Sequence, residues 1–292
     1  MPAHSQLTFD DVLCQRWRNR RPSWRRTSEG GFDPARYQAR PVPAALAREF
    51  VTTHHYSKTW PAVRLSYGLY DRAIAGARGG ALVGVFALGV PMHATVLTKV
   101  FPRVQPYWNS LELSRLVLLD SCEANSESYF VARALRMAAA MGVRGVLAHS
   151  DPLPRHRRTP SGDVETIMIG HWGCTYQSSN MSYLGRTRPR RLTVLPDASI
   201  LYDRAKSKVR AQESGHGGVE RRLVALGARL RSPRESGGEW LAEALQTIGA
   251  VTIHHPGNHR YAVTTGTRRQ RTEIRGDVLP YPKPLPDDGL VR

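Results

Sequence analysis

The chain has 292 residues, 41% of them hydrophobic, enough to bury a full core of one or two domains. Lys and Arg number 42 against 24 Asp and Glu, a formal charge of +18, and an excess of that size points to a polyanionic partner. No apolar run approaches the roughly 20 residues that span a bilayer, the first residues lack a signal-peptide core, and three scattered cysteines exclude a disulfide framework or a Cys-rich zinc site. A soluble protein of the cytoplasm, with no membrane partner, is therefore expected.

Residues 1–40 read as a flexible basic arm. Trp17 and Trp24 are interleaved with Arg16, Arg18, Arg20, Arg21, Arg25 and Arg26, a composition that neutralises phosphates and stacks on bases. The alternative is a solvated leader. A compact α/β domain is expected over 41–192. Ala44 to Thr53 reads as a helix with Pro43 at its start, Arg64 to Tyr70 alternates like a strand, and Gly80 to Leu88 is a buried apolar strand. Leu113 to Leu119 is a further strand. Asn125 and Ser126 then open a helix running to about Ala140, and Val143 to His149 is the next strand. Leu153 to Glu165 reads as a surface loop, Thr166 or Gly170 to Ser178 as a helix, and Tyr183 to Arg188 as the last strand. Helices and strands alternating in this way predict a mixed sheet flanked by helices.

Residues 193–292 read as a basic α+β extension. Ile200 to Arg210 is a basic helix, followed by a Gly-rich break at 215–218. Glu220 to Leu230 and Glu239 to Thr247 are amphipathic helices, and Val251 to His255 with Arg260 to Thr264 read as a hairpin around Pro256-Gly257-Asn258. The positive excess is heaviest before residue 41 and after residue 183.

Chemistry concentrates where strands end and helices begin, the usual ligand edge of an α/β sheet. Asn125, Ser126 and Ser128 offer hydroxyls and free N–H groups to an anion, more than N-capping alone requires. Ser114 and Arg115 interrupt an apolar strand, and a buried Arg needs an anionic ligand or an ion pair, with Glu112 or Asp151 as partner. Tyr176 is placed to donate a proton, unless it is a core tyrosine with a satisfied hydroxyl. His259 and Arg260, in a turn rich in His, are candidates to contact nucleic acid. A divalent-metal site joining Asp151 to a His or Tyr elsewhere has no support from spacing.

His54-His55-Tyr56-Ser57, Glu112-Leu113-Ser114-Arg115-Leu116, Asn125-Ser126-Glu127-Ser128, Ser150-Asp151-Pro152, Tyr176-Gln177-Ser178-Ser179-Asn180, Tyr183 to Thr187, His255 to Tyr261 and Pro280-Tyr281-Pro282-Lys283 occur in one order. In that order they resemble the Mom family of bacteriophage DNA-modification proteins, over roughly residues 50–284. The resemblance implies a GNAT-like fold, the acyltransferase fold, in the cytoplasm of the host cell if the chain is phage-encoded. It implies a transferase that converts adenine in DNA to an N6-carbamoylmethyl derivative and so shields the DNA from restriction. It further implies an acyl-CoA or related acyl or glycyl donor with its pyrophosphate at Asn125 to Ser128, and a general acid at Tyr176. Ser114 and Arg115 would line the acyl group, and His55, Tyr56 and Asp151 would hold iron. Two alternatives stand beside this reading: a GNAT-type N-acyltransferase for a small amine, protein or tRNA, and a non-catalytic DNA-binding antirestriction protein. Steep salt dependence of DNA binding separates the first alternative, and an altered nucleoside the second.

Overall fold

A computed structural model describes residues 13–18, 21–26, 32–75, 79–123, 125–159, 163–168 and 170–283. Contacts gather the chain into two units, one of Met1–Asp151, His171–Arg186 and Asn258–Arg292, the other of Pro152–Gly170 and Thr187–Gly257. The sequence placed its boundaries after residues 40 and 192, so the contacts divide the chain differently.

The first unit begins with β1 (Leu13–Arg18) and β2 (Arg21–Arg26), which pair antiparallel from Leu13 opposite Arg26 to Arg18 opposite Arg21. The segment expected to be a flexible arm thus carries a two-stranded ladder. Next come β3 (Tyr37–Pro41), α1 (Ala44–His54), β4 (Val63–Asp71), β5 (Ala81–Gly89) and the short α2 (Thr95–Thr98). They are followed by β6 (Ser110–Leu118), α3 (Ser126–Ala140) and β7 (Gly145–Ser150). After an excursion into the second unit, the chain returns as α4 (Cys174–Ser178), β10 (Ser182–Arg186) and, much later, β14 (His259–Thr264). Seven strands form one mixed sheet in the order β10-β14-β7-β6-β5-β4-β3. Every adjacent pair is antiparallel except β6 and β7, which are parallel. This is the mixed sheet flanked by helices that the alternation of elements predicts, and the helix α3 supplies the crossover that a parallel pair requires.

Each face is covered because the flanking helices carry apolar residues at helical spacing. Ala47, Phe50 and Val51 of α1 pack on Val85 and Ala87 of β5. Phe130, Ala134 and Ala138 of α3 recur every four residues and bury against Phe86, Leu88, Leu111 and Ala148 on the opposite face. Burying a side chain the size of Phe130 stabilises the fold by about 2–3 kcal/mol.

Arg36 ties three segments together. Its guanidinium donates to both carboxylate oxygens of Asp71 at 2.9 and 2.6 Å and to Glu123, in the loop before α3, at 2.5 Å. Asp71 is 1% exposed, and the Arg36 hydrogen bonds hold its carboxyl below the usual range. A carboxyl depressed in the folded state contributes stability that is full above its unfolded value and lost as pH falls through the folded one. Asp71→Asn is expected to cost about 2–3 kcal/mol, below the range for fully buried pairs because Arg36 is partly solvated. Urea melts should show the gap between wild type and variant closing below about pH 4; a constant gap would contradict the assignment.

The second unit holds the antiparallel pair β8 (Arg155–Arg158) and β9 (Val164–Met168), and the sheet of β11 (Arg190–Val194), β12 (Ile200–Leu201) and β13 (Val251–His255) in the order β12-β11-β13. Its helices are α5 (Asp203–Arg210), α6 (His216–Ala225) and α7 (Gly237–Thr247). Leu201, Val209, Leu223, Trp240 and Leu241 form its core. Ser236 caps α7 by accepting from the Gly238 N–H, and the Trp240 indole donates to the Arg229 carbonyl at 3.1 Å.

Several expectations change. The segment read as a loop over 153–165 contributes to the β8/β9 ladder. The helix expected from Thr166 or Gly170 starts only at Cys174, because Gly170 and Gly173 take the left-handed conformation, at φ +75° and +77°, and residues 164–168 are spent in β9. The Gly-rich break at 215–218 mostly lies inside α6, which starts at His216. The expected hairpin does not form: β13 pairs with β11, while β14 inserts between β7 and β10. Among the described residues no helix is long and apolar enough to cross a membrane.

Candidate functional site

The site begins where the only parallel pair of the large sheet comes apart. The β6/β7 ladder runs from Ser110 opposite Gly145 to Leu113 opposite Ala148, yet β6 continues to Leu118 and β7 to Ser150. The parting coincides with a bulge in β6. Arg115 sits opposite Ala87 and Leu113 opposite Leu88, so Ser114 is the extra residue, and such an insertion bends a strand and re-aims its side chains. Gly89 makes room for it: a Cβ there would lie 2.6 Å from both Ser114 Oγ and the Ala62 carbonyl.

Register assigns the groups around this opening to faces. Glu112 stands opposite Gly89 and Leu147, and Arg115 opposite Ala87. Alternation then puts His149 on the face of Leu147 and Glu112. The Arg115 guanidinium donates to the Thr59 carbonyl at 3.0 Å, the Thr59 hydroxyl at 2.6 Å and the Ser114 carbonyl at 2.5 Å, fixing the loop after α1 against β6. His149 Nδ1 and Glu112 Oε1 are 3.0 Å apart. With Nδ1 donating to the carboxylate, Nε2 keeps a lone pair, the arrangement of a histidine base oriented by an acid. His149 had no role in the sequence reading; its signal is a polar residue ending an apolar parallel strand, in phase with Leu147.

Tyr176 comes from the other side. It is 8% exposed on α4, with its ring centroid 5.4 Å from that of Tyr261. Burial pushes its phenol above the ordinary range; Tyr56, Glu112 and Tyr261 push the same way and Arg115 opposes them. Of these groups Tyr261 is in ring contact with it; Tyr56, Glu112 and Arg115 act on the phenol electrostatically. A phenol so raised stays protonated, which suits a proton donor rather than a base.

A buried aromatic column supports α4. The Tyr261 hydroxyl donates to the Trp172 carbonyl and accepts from Gln177 Nε2 at 3.1 Å, while Gln177 also donates to Trp172 at 3.0 Å. His259 bonds the Tyr183 hydroxyl through Nδ1 at 2.8 Å and lies against the Trp172 ring. It is 1% exposed, and burial, then Arg186 and His171, lower it to about 4. This corrects the expectation that His259 contacts nucleic acid: it is a neutral interior residue. Arg260 is half-buried and donates to the Leu184 carbonyl. Arg20 lies outside the described residues, and Arg16, Arg18, Arg21, Arg25 and Arg26 lie on the β1/β2 ladder.

The candidate donor-binding serines are differently engaged than expected. Ser126 is fully buried and donates to the Glu123 carbonyl at 2.7 Å; Ser128 donates to the Asn125 carbonyl at 3.1 Å. Asn125 takes φ +70° and makes no side-chain cap. What α3 offers an anion is therefore the backbone N–H groups of its first turn. Ser126→Ala is expected to lower stability by about 1 kcal/mol, as loss of one local hydrogen bond does, while leaving donor affinity near wild type. A tenfold loss of affinity at unchanged melting temperature would instead place the hydroxyl on the donor.

The iron implied by the resemblance has no support from the residues as placed. Among the described residues no three His, Cys, Asp or Glu side chains gather as a metal site. His55 Nδ1 accepts from the Ser57 N–H at 3.1 Å, which leaves the proton of the neutral ring on Nε2, and burial, Arg115 and His171 lower its pKa to about 3. The Asp151 carbonyl accepts from the His171 N–H at 2.8 Å, and Tyr56 lies against the His55 ring, 4.2 Å between centroids.

Residues 36–283 match the model of the Mom protein family. No curated protein matches the chain. Among solved structures it is similar to a tandem GNAT protein from the clavulanic acid biosynthesis pathway, at 10% identity over 79% of this chain and 99% of that one, TM-score 0.38. It is also similar to Arabidopsis thaliana NAA60 in complex with acetyl-CoA, at 11% identity over 54% of this chain and 90% of that one, TM-score 0.34.

Proposed function

We propose that this chain, which belongs to the Mom protein family, is a transferase that modifies N6 of adenine in DNA with a carbamoylmethyl-type group. The observation that carries the reading is the carboxylate-oriented histidine at the β6/β7 opening, where Glu112, which also acts on the buried Tyr176 phenol, holds His149. A bound glycyl-thioester-type donor would supply a glycyl group and a leaving thiolate. The N6-glycyl amide so formed is an isomer of the carbamoylmethyl derivative. It would reach that derivative when the glycyl amine attacks C6 and the former N6 leaves C6 as the amide nitrogen. The β6 backbone beyond Leu113, released from the ladder, has groups to hold the donor's extended arm, and the first turn of α3 has N–H groups for its phosphates.

N6 of adenine is a poor nucleophile because its lone pair is delocalised into the ring, so the chain's contribution is positioning and proton handling. His149 Nε2 takes the proton that N6 loses as the new bond forms, while Glu112 steadies the imidazolium through Nδ1. Tyr176 gives its proton to the leaving group. Arg115, anchoring the loop that carries Tyr56 and Thr59, holds that wall in place. An adenine stacked in a duplex cannot reach such an opening, so the base is flipped or taken from a single strand, and the +18 chain grips the backbone.

Nucleoside digests of DNA from bacteria expressing the protein test this directly. A modified adenine, with resistance to restriction enzymes whose sites contain adenine, is the expected result. Ordinary adenine alone, with soluble protein and donor both present, would transfer the assignment to an N-acyltransferase of small amines.

A further inference from the structure

We propose that the groove of the second unit, between β11, β13 and α5, cradles the phosphodiester backbone of duplex DNA; this deepens the DNA-modification reading and rests on it. The groove encloses about 420 Å³ and is lined by Arg190, Arg191, Thr193, Lys206, Arg210 and Thr252, with Asp203 as its one acid. Register explains the grouping of Arg191, Thr193 and Thr252. Arg191 stands opposite His254 and Thr193 opposite Thr252, so one face of the ladder presents two successive polar cross-strand pairs.

The cations differ in what holds them. Lys206 is engaged inside the protein, by Asp203 at 2.6 Å and the Thr193 hydroxyl at 3.1 Å. Accepting from Lys206 leaves the Thr193 hydroxyl proton able to donate into the groove. Arg190, Arg191 and Arg210 are exposed, and among the described residues their side chains make no ion pair and no hydrogen bond. Four other arginines of the same unit have carboxylates: Arg204 has Glu213 at 2.5 Å, Arg222 has Asp197 at 4.0 Å, Arg229 has Glu235 and Glu243, and Arg231 has Glu220 at 2.9 Å. Arg210 shares the field of Asp203, whereas Arg190 and Arg191 have no carboxylate in the groove to neutralise them. Guanidinium forks match phosphate oxygens in bidentate geometry.

The test is binding of a fluorescently labelled duplex of about 20 base pairs to the full chain, as log affinity against log salt, where each phosphate contact contributes a slope of about 0.9. Arg190→Ala with Arg191→Ala is expected to weaken binding at least tenfold and make the slope shallower by about 1–2 units. Arg221→Ala with Arg234→Ala removes the same charge from exposed positions outside the groove and should leave the slope near wild type. Arg190→Lys with Arg191→Lys should restore the slope. All these side chains are exposed, so melting temperatures should hold. Equal losses in the two alanine pairs, or no loss in the groove pair, would overturn the proposal. If wild type still binds DNA and yields modified adenine in such a case, the functional reading survives and only the groove fails. If wild type binds no duplex and its DNA digests to ordinary adenine, both fail together.

Discussion

Tyr176→Phe is expected to lower the yield of modified adenine by about 10²–10⁴-fold per enzyme, the range for loss of one general acid, with the fold intact. Phenylalanine keeps the ring that packs against Tyr261 and the surrounding core, so only the hydroxyl is lost. Burial first, then Tyr56, Glu112 and Tyr261, keep that hydroxyl protonated. Its proton is thus available to a leaving group but not easily lost to solvent. Mass analysis of nucleosides at matched protein levels reads the effect, and calorimetry checks the fold. A variant that modifies DNA at the wild-type rate would make Tyr176 a core tyrosine and move the acid elsewhere.

His149→Ala should have an effect of similar size, about 10²–10⁴-fold, because no other residue replaces its lone pair beside Glu112. Glu112→Gln provides an independent check on the same pair. The glutamine amide would donate to Nδ1, drive the ring proton to Nε2 and remove the base without removing the ring. Both variants should therefore lose similar activity, and the double variant little more, since residues acting as one unit are not additive. Added imidazole should partly restore His149→Ala but not Glu112→Gln, in which the bound ring still occupies the site. Full activity in either single variant would reduce the 3.0 Å contact to a structural one.

The sequence by itself determined most helices and strands of the sheet domain, but not β3, α2 or the start of α4. The apolar spacing of Phe130, Ala134 and Ala138, the start at Asn125-Ser126 and the stop before Gly142 mark α3 within a residue of its observed ends. Alternation marks β4, and an unbroken apolar run marks β5, each within about a residue. The ordered motifs carried the family, because residues held in fixed order over 36–283 are read directly. Tertiary structure alone decided what those elements pair with. Val251–His255 and His259–Thr264 look like the two arms of a hairpin, yet their hydrogen bonds go to β11 on one side and to β7 and β10 on the other. His259 reads as a surface residue in a basic turn and is buried against Tyr183 and Trp172, 76 and 87 positions away. Glu112 meets His149 across 37 residues. Periodicity records how much of each side chain is buried, which is a local property. Hydrogen-bond partners and protonation depend on the groups that long-range packing places nearby, and only the folded sheet assembles those.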